Sequence, residues 1–142
     1  DTIGTDHAPH AKEEKFKDDY FTCPSGLPSI QHSLLLMLRL HGMGWLIIEQ
    51  VLEKMCHNPG ILYQIDRRGF IREGYHADLV LLDMNACKKI SDEEILYKCG
   101  WSPYNGELLQ GRVTHTFVNG NLVYENGQFH EEHKGERLLF NR

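Results

Sequence analysis

The segment Asp1-Thr-Ile-Gly-Thr-Asp-His-Ala-Pro-His10 holds the densest chemical information in this chain. β-forming residues give way to polar residues and a proline, which predicts the end of a strand running into a loop. Asp6, His7 and His10 are ligand types that Zn²⁺ accepts. Catalytic groups also gather where the strands of an α/β barrel end. The segment predicts a catalytic or metal-binding loop. A surface loop with incidental histidines is the alternative, because one carboxylate and two imidazoles are too few for a closed metal site.

Loops and helices are predicted outward from this segment. Residues 12–19 carry charges of alternating sign without an apolar period, which predicts a solvated loop, and the prolines and glycine of residues 23–28 predict a second loop. Apolar periodicity predicts helices over residues 29–41 and 45–57, and a third over residues 58–65 with Asn58 as its cap.

The hydrophobic period changes beyond Gly69. Strands are predicted over residues 77–83, 112–119 and 122–124, with tight turns at Asn119-Gly120 and Asn126-Gly127. Ser91-Asp-Glu-Glu94 is a capping-box pattern, which predicts a short helix to Lys98. The chain is therefore predicted to have two parts, residues 1–66 and residues 67–142.

Composition excludes several classes of protein. The chain has 142 residues, of which 41% are hydrophobic and 25% charged, as in an ordinary globular chain rather than a disordered one. A net charge of −5 with scattered Lys and Arg argues against a nucleic-acid partner. No apolar run approaches the ~20 residues that cross a membrane. The four cysteines lack CxxC spacing, so reduced, mostly buried thiols of a cytoplasmic protein are predicted.

His130-Glu-Glu-His133 has the wrong spacing for a metalloprotease helix. Its histidines are three residues apart, whereas that motif places them four apart. A solvated tail or the edge of a strand is predicted for this region.

Several motifs in order along the chain resemble the C-terminal end of class I dihydroorotases, in the amidohydrolase superfamily. They are Thr5-Asp-His-Ala-Pro-His10, Cys23-Pro-Ser-Gly26, His57-Asn-Pro59, Ala77-Asp-Leu-Val80, Ser102-Pro-Tyr-Asn-Gly106 and Thr116-Phe-Val-Asn-Gly120. The resemblance covers nearly the whole chain. It implies an α/β fold class: the last strand and helices of a TIM-barrel metallo-amidohydrolase in residues 1–66, and part of a small β-sandwich in residues 67–142.

The resemblance also implies an activity, the zinc-dependent and reversible conversion of carbamoyl aspartate to dihydroorotate in pyrimidine biosynthesis. Asp6 would bind one or two Zn²⁺ ions and transfer a proton. His10 would bind the anionic substrate together with the backbone of Pro24 and Gly26. His7 is expected to support the loop rather than to bind metal. The partner would be this small molecule, and a homo-oligomer is compatible with the pattern.

The chain also departs from the family pattern. The His-x-His motif and the bridging lysine of the family are absent, as is its long N-terminal half, so the chain is expected to be a fragment that is inactive alone. Two alternatives stay open: another cyclic amidase, such as an allantoinase or dihydropyrimidinase, or a non-catalytic homologue that acts as a partner subunit. His10 weighs against the first, because uncharged rings have no carboxylate for it to bind.

Overall fold

An antiparallel sheet and a set of short helices form the described part of the chain, residues 1–141 of a computed structural model. Arg142, the last residue of the predicted second part, lies outside this range. Four strands follow one another in sheet order: β1 (Leu79–Lys89), β2 (Leu108–Val118), β3 (Asn121–Glu125) and β4 (Gln128–Phe129). The four α-helices are α1 (Lys12–Lys15), α2 (Ser33–Gly42), α3 (Ile48–Leu52) and α4 (Asn58–Leu62).

Local turn chemistry sets the order of strands β2, β3 and β4. Asn119 and Gly120 have φ of 51° and 81°, which is the left-handed backbone of a type I′ hairpin turn. Asn126 and Gly127 repeat this geometry with φ of 46° and 99°. Both predicted turns are confirmed, and the strands beside them extend further than predicted.

Residues 1–10 form less β-structure than predicted. His7 makes one isolated parallel bridge to Leu27, and the amide of Ile3 donates to the carbonyl of Lys54. A strand requires continuous pairing with a neighbour. Within residues 1–141, no strand lies alongside this segment to supply such pairing.

The predicted second and third helices are one continuous helical stretch. It begins at Ile48 rather than Trp45, because the amide of Ile47 is capped by the side chain of Gln50. A π-helical turn, Glu53–His57, then leads into α4. Pro59 has no N–H to offer the carbonyl four residues earlier, and a wider turn accommodates that loss.

Asn58 is not a cap, which corrects the prediction for the third helix. Its φ of −63° is helical, and its side chain donates to the carbonyl of Asp1 at 2.6 Å.

The predicted helix at Ser91 is reduced to a 3₁₀ turn, Asp92–Glu94. The side-chain amide of Gln31 donates to the carbonyl of Glu94 and accepts from the amide of Leu96, both at 2.9 Å. These two bonds hold the chain extended after Glu94 and replace the helical hydrogen bonds that the sequence pattern predicts.

The core lies where α2 packs against the sheet. Leu35, Leu38, Ile90 and Leu109 are buried in contact with one another. Gly111 on β2 has a φ of 89°, and a Cβ there would lie 2.7 Å from Cδ1 of Leu38. The glycine therefore lets the sheet approach the helix closely.

The prediction of mostly buried thiols is wrong. Cys56 and Cys87 are exposed, Cys23 and Cys99 are half-buried, and all four are free. Each lies outside the small core of α2 and the sheet, so none is enclosed by it. Every helix within residues 1–141 is too short or too polar to cross a lipid bilayer.

Candidate active site

Two loops lie side by side and bring the predicted site residues into one region. We call residues 5–10 the Asp-His loop and residues 23–29 the Gly26 loop. The amide of Ala8 donates to the carbonyl of Leu27 at 3.1 Å, and the hydroxyl of Ser29 donates to the carbonyl of Thr5 at 2.7 Å. These contacts place the segment of Asp6 and His10 next to that of Pro24 and Gly26.

Gly26 makes this approach possible. Its φ is 97°, in the left-handed region that favours glycine. A Cβ at this position would lie 2.6 Å from Cβ of Ala8 and 3.0 Å from its carbonyl oxygen. Any side chain here would push the two loops apart.

Asp6 is exposed and has a φ of 44°, an uncommon backbone conformation that aspartate tolerates better than most residues. Within residues 1–141, no hydrogen bond or ion pair engages its carboxylate. The strained backbone and the free side chain leave this carboxylate available to bind a ligand.

His7 supports the loops. Its Nδ1 accepts from the amides of Ser29 at 3.0 Å and Ile30 at 3.3 Å. In the neutral ring the proton then lies on Nε2. The ring also contacts the ring of Tyr97, with centroids 5.0 Å apart. Because Nδ1 is already occupied, the geometry agrees with a supporting role.

His10 is half-buried, and its backbone is fixed from a distant part of the sequence. The indole Nε1–H of Trp101 donates to the carbonyl of His10 at 2.8 Å. The imidazole itself has no hydrogen-bond partner within residues 1–141. Its backbone is thus held while its ring remains free.

Two residues that support the site were not identified in the sequence analysis. Trp101 is one, and Lys15 is the other, because its ammonium donates to the carbonyl of Pro24 at 2.8 Å. Trp101 belongs to no recognisable motif, and its contact with His10 joins residues 91 positions apart. A cleft of about 410 Å³ borders the Gly26 loop at Leu27, and its lining also includes Lys12, Lys15, Phe16 and Trp101.

His32 is buried next to the Gly26 loop and is 4% exposed. Burial lowers the pKa of this histidine, Lys88 lowers it further, and Glu94 opposes them. Its Nδ1 lies 3.4 Å from the hydroxyl of Ser102. A neutral His32 therefore joins the helical part to the β-rich part beneath the site.

Burial raises the pKa of Tyr97, whose ring packs against His7. The phenol therefore remains protonated over a wider pH range. It adds no negative charge near the Asp-His loop.

Residues 1–141 do not by themselves fit a zinc centre. No group of three or more His, Cys, Asp or Glu side chains within them could hold a metal ion. A zinc site needs at least three protein ligands, and Asp6 alone would supply one. His130 and His133 lie near Glu132 at 3.8 and 4.0 Å, and they belong to no such group either.

Comparison with known proteins identifies the family. The sequence profile described as "Amidohydrolase family" matches residues 1–123. The chain belongs to the amidohydrolase family. A dihydroorotase of Pyrococcus abyssi is 34% identical over 137 residues, which are 96% of this chain and 32% of that protein. A dihydroorotase of Streptococcus pyogenes is 40% identical over 125 residues, 87% of this chain and 29% of that protein.

The fold is also that of solved family members. The D-hydantoinase (dihydropyrimidinase) of a Thermus species matches with a TM-score of 0.80 and 29% identity, over 96% of this chain and 30% of its own. The chain thus spans about a third of the length of the relatives that it matches. The mixed helix and sheet architecture of this chain corresponds to the matched third of an amidohydrolase.

Proposed function

We propose that the intact protein carrying this chain is a dihydroorotase, which reversibly converts carbamoyl aspartate to dihydroorotate in pyrimidine biosynthesis. The observation that best supports this function is the contact between the Asp-His loop and the Gly26 loop. It puts the segment of the free Asp6 carboxylate and the free His10 imidazole against the backbone of Gly26, which packs directly on Ala8. The sequence similarity to dihydroorotases supports the same activity.

Asp6 is the proton carrier in this proposal. Hydrolysis adds water across the amide C–N bond, so the carbonyl carbon gains oxygen and the ring nitrogen gains a proton. An exposed carboxylate without a partner is suited to take the proton from the attacking water and to deliver it to that nitrogen. The reverse sequence closes the ring.

His10 and the Gly26 loop bind the substrate. The imidazole donates to the substrate carboxylate, and the backbone of Pro24 and Gly26 contacts the ring. The bond from Lys15 to the carbonyl of Pro24 keeps this backbone in place. A charge-assisted hydrogen bond to the carboxylate would distinguish dihydroorotate from uncharged cyclic amides.

The remaining catalytic groups are proposed to lie outside this chain. We infer that Asp6 is one ligand of a site with one or two Zn²⁺ ions, whose other ligands residues 1–141 do not supply. Such an ion polarises a carbonyl group and lowers the pKa of water. We also infer that residues 1–66 complete a TIM barrel and residues 67–142 a β-sandwich, in a cytoplasmic protein that could form homo-oligomers.

The test compares substrates on the intact protein. Steady-state kinetics with dihydroorotate, dihydrouracil and allantoin should show that dihydroorotate has the highest kcat/KM. His10→Ala should raise KM for dihydroorotate about 10-fold or more, the value of a hydrogen bond to a charged group, and leave KM for dihydrouracil unchanged. A preference for an uncharged ring would replace this proposal.

A second candidate is a cyclic amidase for uncharged rings. The structural similarity to the Thermus D-hydantoinase (dihydropyrimidinase) favours it. The same assay separates the two, because such an enzyme would hydrolyse dihydrouracil faster than dihydroorotate. No turnover of any ring by the intact protein would instead favour a non-catalytic partner subunit.

A further inference from the structure

Trp101 connects the β-rich part of the chain to the candidate active site. It is 3% exposed, and its indole N–H donates to the carbonyl of His10 at 2.8 Å. The ring of Phe16 packs edge-on against it, with centroids 5.2 Å apart. Trp101 therefore contacts the chain both at His10 and just beyond α1.

The backbone around Trp101 is held firmly on its own side. The amide of Ser102 donates to the carboxylate of Asp92 at 2.9 Å, and the amide of Tyr104 donates to the hydroxyl of Ser102 at 3.2 Å. Ser102 is itself buried beside His32. The indole is thus a rigid donor anchored in one part of the fold and directed at a loop in another.

We propose that Trp101 is a positioning residue that fixes His10 for recognition of the substrate carboxylate. The inference rests on the proposed function, since it assumes that His10 binds this group. A hydrogen bond to the carbonyl of His10 restricts the backbone from which the imidazole projects. Such restriction keeps a binding side chain in its productive geometry before the substrate arrives.

The first experiment removes the N–H donor from the intact protein. Trp101→Phe keeps an aromatic ring and loses the donor. We expect KM for dihydroorotate to rise about 3- to 10-fold, the range for one hydrogen bond, while KM for uncharged dihydrouracil stays the same. A merely structural role would raise both KM values together, and that result would overturn the proposal.

A sharper variant preserves the shape of the side chain. Replacing Trp101 by β-(3-benzothienyl)alanine exchanges the indole N–H for sulfur and keeps the two fused rings. This variant also serves if the Phe variant does not fold. It should reproduce the selective rise in KM, and an unchanged KM would show that the hydrogen bond has no positioning role.

A double-mutant cycle separates this inference from the proposed function. In a His10→Ala background, the Trp101 change should have no further effect on KM for dihydroorotate, because the group that it positions is gone. Equal effects in both backgrounds would overturn the positioning role of Trp101 and leave the proposed function of the protein intact. If His10→Ala itself leaves KM unchanged, the proposed role of His10 fails and the inference fails with it. Phe16→Leu, which changes packing but not the donor, is the matched control.

Discussion

The β2–β3 hairpin and the site loops are held together in opposite ways. Strand β3 returns from β2 through the two residues Asn119 and Gly120, so its pairing is determined by its immediate neighbours in sequence. The Asp-His loop is fixed instead by Leu27, by Ser29 and by Trp101, which is 91 positions away. The β2–β3 hairpin can therefore form from local information, whereas the site forms only after distant segments have packed.

The largest expected effect is on activity without any effect on folding. Asp6→Asn keeps the shape of the side chain, and asparagine tolerates the positive φ, but the amide cannot carry the proton. Loss of a general acid–base group costs about 10²–10⁴-fold in rate, so kcat of the intact protein should fall by that factor while its Tm is unchanged. Asp18→Asn, an exposed carboxylate on the neighbouring loop, should leave kcat as it is. A near-normal rate for Asp6→Asn would remove Asp6 from proton transfer.

The next change tests the contact between the sheet and α2. Gly111→Ala should reduce the free energy of unfolding by about 2–4 kcal/mol, because a Cβ 2.7 Å from buried Leu38 adds overpacking to an unfavourable φ. Gly106→Ala is the matched control, with a similar φ of 87° and no atom within 4 Å of the added Cβ. It should cost only about 1–2 kcal/mol, the backbone part of the effect. Equal losses in urea denaturation would mean that Leu38 moves aside without cost.

A third change separates the two loops of the site. Gly26→Ala places a Cβ 2.6 Å from that of Ala8, so the loops must move apart. KM for dihydroorotate should rise about 10-fold, since small displacements of binding groups weaken recognition strongly. Gly127→Ala has nearly the same φ, 99°, with nothing within 4 Å, and should leave KM unchanged. If both variants bind substrate equally well, the contact with Ala8 does not set the site geometry.

The smallest effect concerns the pH dependence of stability. Burial lowers the pKa of His32 in the folded chain, so the unfolded chain takes up a proton first as the pH falls below about 6.5. Through the protonation of His32, acid should therefore reduce the free energy of unfolding. Glutamine at this position does not titrate, so the loss of Tm between pH 7.5 and 5.5 should be smaller for His32→Gln than for the unmodified protein. Identical losses in the two proteins would exclude His32 as a contributor.

The sequence was most informative where structure depends on neighbouring residues. The turns at Asn119-Gly120 and Asn126-Gly127 could be predicted because their φ values suit Asn and Gly. The helix predicted at Ser91 could not be excluded, because the side chain of Gln31, 63 residues before Glu94, replaces its hydrogen bonds. The Asp-His loop was predicted from its ligand-type residues, and the role of Pro24 and Gly26 from resemblance to a family. The support by Trp101 has no local signal in the sequence.

The two tryptophans occupy very different surroundings, and this has an optical consequence. Trp45 is 71% exposed, whereas Trp101 is 3% exposed and its indole N–H is bonded to His10. Indole emission shifts to longer wavelength when water reaches the excited ring. With Trp45 replaced by Phe, the fluorescence of the remaining indole would report whether the Asp-His loop is docked, in real time and without any substrate.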